Sequence, residues 1–253
     1  MKDLSNNIID DDKNIIDKNK LFKNLKYVSK SIKINFLFWI SIFICLIIIT
    51  QFSEDKSYSS SFITFILAIL LGWLIHYFSH AYDILKLYQE SNYKIINIIK
   101  NNKYLNNFVT YLILYTIDFH DKIHHDTTIN KQPFNLFWEF FQNFLMEGGI
   151  LILIAYYFNF TVCIGSFNFK LNKAVLLLWG LLYASVHNIN YIILGCDQHV
   201  NHHKDVKTNY GIDILDILFD VKYDLDNIED HNHAALNLII ITLFIIYFKI
   251  FVD

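Results

Sequence analysis

Four long apolar runs without a charged residue constrain this chain more than any other feature of its sequence. A helix needs about 20 mostly apolar residues to cross a bilayer, and each run reaches that length. The runs cover residues 34–53, 57–82, 148–169 and 174–196. The sequence therefore predicts an all-α, polytopic membrane protein with about four transmembrane helices arranged as two hairpins.

Two shorter apolar stretches and a polar start complete this outline. Residues 104–117 are too few to span, and we expect an interfacial or re-entrant helix there. Residues 234–248 form either a weak span or a helix buried in the bundle. Residues 1–33 are rich in Lys, Asn and Asp, and we interpret them as a polar cytosolic tail before a membrane-embedded domain, 34–253.

Composition excludes several other classes of protein. Only 18% of the residues are charged, against roughly 25% in an average soluble domain. The net charge is -3 and the sequence has no arginine, which argues against a nucleic-acid partner because such binding needs a basic footprint. Cys45, Cys163 and Cys196 are widely spaced and lie in or beside apolar runs. We interpret them as small apolar side chains and not as a disulfide or thiolate framework.

A run of lysines sets the expected orientation. It precedes the first apolar run and contains no acid; its members are Lys18, Lys20, Lys23, Lys26, Lys30 and Lys33. Cytoplasmic segments next to a span carry an excess of positive charge. We therefore expect a cytosolic N-terminus and, with four spans, a histidine-rich cap on the cytosolic side.

Eight of the 11 histidines fall in three tight clusters, each near the predicted cytosolic end of an apolar run. The clusters are His76 and His80; His120, His124 and His125; and His199, His202 and His203. Residues at i and i+4 share one face of a helix, so each cluster can direct two imidazoles to one point. Paired imidazoles are suitable ligands for a divalent transition metal. The clusters therefore predict metal binding.

The number of ligands favours two ions. Zinc in a structural site takes four ligands, and eight imidazoles exceed that number. His125 lies about 100° of helix rotation from His124, so it needs a bend or a second ion to take part. Residue chemistry leaves two alternatives open, closed structural zinc sites or two irons with open positions.

The remaining polar residues near the clusters supply further candidates. His187 lies deep in the fourth apolar run and is predicted as a ninth ligand, with a buried structural histidine as the alternative. Asn188 and Asn190 are candidates for contacts to ligands. Carboxylates often accept the second N–H of a metal-bound imidazole; those beside the clusters are Asp121, Asp126, Asp197 and Asp205, which could equally be surface charges. We place His231 and His233 in a solvated acidic loop at a helix start.

The three clusters resemble the histidine boxes of the fatty acid hydroxylase/sterol desaturase superfamily of membrane di-iron enzymes. The closing segment is the most specific part: HxxHH at 199–203, then Asn209-Tyr210-Gly211, then Asp216 to Phe219. The resemblance covers roughly residues 61–221. It departs from the family at Tyr77, where a basic residue is common, and at the second box, which reads HxxxHH where HxxHH is usual.

The resemblance implies a function and its partners. Two iron ions would be held by the nine histidines, with zinc as a possible non-native occupant. With O₂ they would hydroxylate a C–H bond of a fatty acyl, sphingoid or sterol lipid. Desaturation, including the ether-lipid type, is the alternative, and a catalytically inactive metal-binding membrane protein is another. By resemblance the electron donor is cytochrome b5 or a similar carrier, and the location is the endoplasmic reticulum membrane or an equivalent. A metal transporter fits less well, because spans one and three offer almost no polar ligands.

Overall fold

A computed structural model describes residues 20–126, 132–158, 161–164, 167–189 and 196–252. These residues are mostly helical, which confirms the predicted class. Three helices are long and apolar enough to cross a membrane, and a bent pair of helices makes a possible fourth. The three are Tyr58–Ala81, Pro133–Phe158 and Asn232–Lys249.

The N-terminal part of the described chain is a bent helical pair. Helix α1 (Lys20–Ile34) and helix α2 (Phe36–Phe52) meet at 73°. Helix α1 is packed against the rest of the protein, since the buried Asn24 side chain donates to the Ile217 carbonyl over 3.0 Å. Residues 20–33 of the predicted polar tail thus form a packed helix, and residues 1–19 lie outside the described ranges.

Helix α3 (Tyr58–Ala81) is a single uninterrupted span candidate. Three short helices follow it: α4 (Ile84–Glu90), α5 (Lys94–Asn101) and α6 (Lys103–Tyr115). Side chains cap the N-termini of two of these helices. Asp83 accepts a hydrogen bond from the amide of Lys86 in α4, and Asn102 accepts from two amides of α6. Helix α6 covers most of the stretch predicted as interfacial, and it exposes apolar side chains such as Tyr104 and Phe108.

The predicted third span, 148–169, has the wrong boundaries. The observed rod consists of α7 (Pro133–Phe144), a π-helical turn (Leu145–Gly149) and α8 (Ile150–Phe158). A β-hairpin then occupies the second half of the predicted span, with β1 (Thr161–Ile164) antiparallel to β2 (Phe167–Lys170). The uncharged run begins later than the rod because Glu139 and Glu147 lie in the first part of the rod, where both are buried.

Helix α9 (Lys173–Val186) packs against α2, α3, α7 and α8. Its side chains Val175, Leu176 and Leu178 are at most 1% exposed and pack in a core shared with α2, α3 and the last helix, α12 (Ala235–Val252). The predicted span 174–196 is described as helix only to Ile189, which makes it one of the shorter apolar helices. By contrast, the marginal stretch 234–248 belongs to a helix of spanning length.

The described chain closes with short elements between α9 and α12. Helix α10 (Asp197–Lys204) carries the third histidine cluster, and α11 (Asp213–Leu218) follows the Asn-Tyr-Gly turn. A segment before α12 then reaches back to the bend between α1 and α2. There the Asn35 side chain donates to the Glu229 carbonyl over 2.8 Å and accepts from the His231 amide over 2.6 Å. The histidine-bearing ends of α3, α9 and α10 also lie close together, since the rings of His76 and His202 and those of His187 and His199 are in contact.

Candidate metal centre

One group of four histidines, here called the first group, joins all three clusters. It consists of His76, His80, His120 and His202, each with a ring nitrogen within 4.8 Å of the others. His76 and His80 lie one turn apart at the end of α3, and His202 faces them from α10. Nε2 of His202 lies 3.2 Å from Nε2 of His76 and 3.1 Å from Nε2 of His80.

A second group lies beside the first one. It consists of His124, His187, His199 and His203. Nε2 of His203 lies 3.1 Å from Nε2 of His124 and 2.9 Å from Nε2 of His199. His187, at the end of α9, brings its ring to within 5.1 Å of the His124 ring, measured between centroids. The structure thus places the predicted ninth histidine against the clusters.

His125 joins the two groups through an unusual turn. Residues His120–His124 form a π-helical turn, and the amide of His125 donates to the carbonyl of His120, five residues earlier. This wider winding places residues i and i+5 on one face, whereas an α-helix aligns i and i+4. Nε2 of His125 consequently lies 3.4 Å from Nε2 of His120. This π turn supplies the bend, which was one of the two ways in which the sequence would allow His125 to take part.

Backbone carbonyls fix the tautomers in the first group. Nδ1 of His76 lies 2.5 Å from the Tyr210 carbonyl oxygen, and Nδ1 of His202 lies 2.6 Å from that of Thr208. A carbonyl only accepts hydrogen bonds, so each Nδ1 carries the proton and each Nε2 carries a lone pair. The two Nε2 atoms therefore face each other as acceptors.

Two acceptors at this distance repel unless a cation lies between them. Nitrogens bound about 2.0–2.1 Å from one metal ion lie about 2.9 Å apart in octahedral geometry and about 3.4 Å apart in tetrahedral geometry. The Nε2 separations within the two groups, from 2.9 to 3.2 Å, match this range. The nine predicted histidines therefore fit metal ions in their number, donor type and spacing.

A buried carboxylate that the sequence reasoning missed supports the second group. Oε1 of Glu139, in α7, lies 2.7 Å from Nδ1 of His124 and 3.0 Å from Nδ1 of His187. All three side chains are at most 2% exposed. An acceptor at both Nδ1 atoms directs both Nε2 lone pairs away from it, which is the usual arrangement of a carboxylate behind metal-bound histidines.

The Asn-Tyr-Gly turn and Asp216 hold the Tyr210 carbonyl in place. The Asp216 carboxylate is fully buried and accepts from the amides of Tyr210 and Gly211 and from the indole of Trp73. Asn209 adopts a positive φ of 54°, a conformation that asparagine tolerates better than most residues. The closing motif thus acts as a scaffold for the His76 ring.

The acids and amides that were predicted to contact the histidines differ in whether they lie near a histidine ring. Oδ1 of Asp121 lies 3.5 Å from Nδ1 of His80. Asp197 and Asp205 are exposed, and neither contacts a histidine ring among the described residues. The backbone N–H of Asp126 donates a hydrogen bond to the Ile123 carbonyl. Asn188 donates to the Leu136 carbonyl, so it joins two helices, and Asn190 lies outside the described ranges.

Burial lowers the pKa of four histidines outside the spans, His120, His199, His202 and His203, which favours their neutral form. Burial, and secondarily the neighbouring His80, lowers the pKa of His202 to about 3. Burial, and secondarily His124, lowers the pKa of His203 to about 4. The pKa values of His120 and His199 are also well below the ordinary value, mainly because the rings are buried. A neutral imidazole is the form that binds a metal.

Two further polar side chains are buried, and for His231 this differs from the expectation. His231 was placed in a solvated loop, but it is 7% exposed and lies against Phe38. Glu147 is buried at the π-helical turn of the rod and accepts from the Trp179 indole over 2.9 Å. The signal for both carboxylates, Glu139 and Glu147, is present in the sequence: an acid among apolar residues at membrane depth is usually functional or paired.

No family model, curated protein or solved structure matches this chain. The class of protein is therefore stated from its fold and its histidine groups. It is a mostly helical protein with membrane-span candidates and with histidine groups that could hold metal ions.

Proposed function

We propose that this protein is a membrane di-iron oxidoreductase that uses O₂ to hydroxylate a C–H bond of a lipid. The lipid is a fatty acyl, sphingoid or sterol chain. The observation that carries the proposal is the convergence of nine buried or half-buried imidazoles into two adjoining groups whose Nε2 lone pairs face one another. The resemblance to the hydroxylase/desaturase histidine boxes supports the same conclusion.

Each group would hold one ion. His76, His80, His120 and His202 would bind the first, and His124, His187, His199 and His203 would bind the second. His125 lies between them, with its ring stacked on His203 at 4.2 Å between centroids and its Nε2 near His120. When bound, two irons supply the reduction of O₂ and the oxidation of an unactivated C–H bond.

The protein contributes position and a dry environment. The carbonyls of Thr208 and Tyr210 and the carboxylate of Glu139 hold the rings, so the ligand nitrogens need no reorganisation. Apolar side chains of α9, including Leu182 and Val186, line a cavity beside the rings of His187 and His199. In this proposal the cavity receives the reacting part of the lipid beside the metals.

The remaining assignments follow from the resemblance and the charge pattern. The lysines around α1 support a cytosolic N-terminus and a cytosolic metal centre, in the endoplasmic reticulum membrane or an equivalent. Electrons would come from an external carrier such as cytochrome b5, because the sequence has no Gly-rich dinucleotide fingerprint. Desaturation uses the same site and remains the alternative reaction.

One observation favours a second candidate, a catalytically inactive metal-binding protein. The first group contains four imidazoles, which is the number that closes a tetrahedral zinc site. A protein that holds zinc in this way would have a structural and not a catalytic centre.

Metal analysis and lipid analysis separate these candidates. We expect the purified full-length protein to contain two irons per chain and to consume O₂ when a lipid substrate is present. Cells that express it should gain lipids with one added oxygen, or lipids lacking two hydrogens if it is a desaturase. Bound zinc alone, without turnover after iron reconstitution, would contradict the proposal.

A further inference from the structure

A second cavity lies between the α7–α8 rod and the first histidine group. Its walls include the rings of His76 and His120. The cavity measures about 30 Å³ as the space open to the centre of a water molecule, and one water needs roughly 10–15 Å³ by this measure. It is open to the surface at Ile117, a lining side chain that is 48% exposed. The other polar side chains in its walls are Ser79, Gln142, Asn143, Glu147 and Tyr183.

Glu147 is the carboxylate of this cavity. It is 5% exposed, and the described lining residues include neither a lysine nor a second acid. Oε2 accepts a hydrogen bond from the Trp179 indole over 2.9 Å. Oε1 has no hydrogen-bond partner among the described residues and keeps part of its surface open. An ionised carboxylate buried without a cation is costly, whereas a protonated carboxyl avoids this cost and can donate to a water in the cavity.

The backbone holds the Glu147 carboxylate close to the first group. Glu147 lies in the π-helical turn Leu145–Gly149, and π turns within α-helices occur frequently at functional sites. The carboxylate packs directly on Gly72 of α3, where the Cβ of any other residue would overlap its oxygens. His76 follows Gly72 by one turn on the same face of α3, about 6 Å along the axis. The carboxylate is thus near a predicted ligand without a direct hydrogen bond to it.

The proposed reaction needs protons as well as electrons at this buried site. Hydroxylation consumes one C–H bond, one O₂, two electrons and two protons, and it yields an alcohol and one water. Desaturation consumes the same electrons and protons and yields two waters. The external carrier supplies the electrons. The Nδ1 protons of His76 and His202 are bound to backbone carbonyls, so these imidazoles are poor sources of the protons.

We propose that Glu147 is a proton relay, which carries a proton and passes it through water in this cavity toward the O₂ that is reduced at the metal groups. Solvent then reprotonates the carboxyl through the opening at Ile117. One O–H bond of Glu147 breaks and one forms in each transfer, so the side chain is unchanged over a cycle. The inference rests on the proposed function for the oxygen chemistry, but the exchangeable proton can be tested without turnover.

The first test detects the proton by infrared spectroscopy of the full-length protein in lipid nanodiscs. A protonated carboxyl has a C=O stretch that is separate from the bands of a carboxylate and that shifts when deuterium replaces the proton. We expect such a band in the unaltered protein and its loss in Glu147→Gln. After transfer to D₂O the band should shift well before the buried backbone amides of the spans exchange. No loss of a band in Glu147→Gln, or exchange as slow as that of these amides, would overturn the inference.

Two substitutions separate proton transfer from packing. Glu147→Gln keeps the size of the side chain and an acceptor for the Trp179 indole, but it has no carboxyl proton. Glu147→Asp keeps the carboxyl but is one carbon shorter and withdraws from the indole. We expect the Gln variant to lower lipid oxidation about 10- to 100-fold, at or below the usual effect of a direct general acid. The Asp variant should retain more activity than the Gln variant, and iron per chain should be unchanged in both.

A purely structural Glu147 would give the opposite order, with the Asp variant the less active and the less stable to heat. That order, or full activity of the Gln variant, would contradict the relay. Failure of the proposed function gives a different result: no lipid would be oxidised even by the unaltered protein. The infrared band would then still decide whether Glu147 holds a proton that exchanges through the cavity.

Discussion

Helices α3 and α9 carry a polar cluster at each end, and the two clusters are built in opposite ways. At the end away from the histidines, the Asn172 side chain donates to the hydroxyls of Ser53 and Ser61 and accepts from the amides of Ala174 and Val175. Thr50 donates to Ser61 over 2.7 Å. Donors thus meet acceptors, and the cluster is complete without any other component.

At the histidine end, acceptors meet acceptors. The Nδ1 protons of His76 and His202 point to carbonyls, and their Nε2 lone pairs point to each other at 3.2 Å. Both clusters are buried, so burial alone does not explain the arrangement. The far cluster therefore joins the helices with its own donors and acceptors, whereas the proposed metal ions would complete the histidine cluster.

The largest expected effect comes from removing one ligand. His202→Ala deletes the Nε2 that lies nearest to both His76 and His80. We expect loss of at least one of the two metal ions per chain and loss of oxidation activity, with membrane insertion unchanged. Metal analysis of the purified variant and alkaline extraction of membranes measure these outcomes. Retained activity with two metals would show that the site is assigned wrongly.

A smaller effect should follow from changing the carboxylate behind the second group. Glu139→Gln preserves shape but replaces an acceptor for two Nδ1 protons by an amide, whose NH₂ group would face one of them. Loss of such a partner typically costs about 10- to 100-fold in metal affinity or activity. Chelator titration of the loaded protein measures the affinity.

Glu147→Gln is the matched control for that experiment. Glu147 is also a buried glutamate of the α7–α8 rod, but its described side-chain bond goes to the Trp179 indole and not to a histidine. We expect its metal affinity to match the unaltered protein. Equal losses in the two variants would mean that Glu139 acts through the packing of the rod instead of through the imidazoles.

The comparison also shows where sequence reasoning succeeds. The i, i+4 spacing of the histidines and the length of the apolar runs identify the clusters and the membrane-helix class, because both depend on local periodicity. The π-helical turn that recruits His125 and the carbonyls of Thr208 and Tyr210 have no signature in residue type. Tertiary structure alone supplies them.

Span boundaries fail for a related reason. Counting uncharged residues treats Glu139 and Glu147 as breaks, so the predicted third span starts 15 residues after Pro133, the observed first residue of the rod. In the structure each acid has a partner, which makes it compatible with a buried position. A count that allowed one or two acids per run would have found the rod and, with it, the carboxylate behind His124.

The smallest effect on the metals should come from the far cluster. Asn172→Ala removes the side chain that caps the N-terminus of α9. It also leaves the buried hydroxyls of Ser53 and Ser61 without that hydrogen-bond donor. We expect a loss of about 1–3 kcal/mol in the free energy of unfolding, seen as a lower melting temperature. The exposed Asn168→Ala is the control and should change little. Because the far cluster has no cation to hold, metal content per chain should stay the same; a parallel loss of metal would show that the two ends of α9 are coupled and that the comparison does not hold.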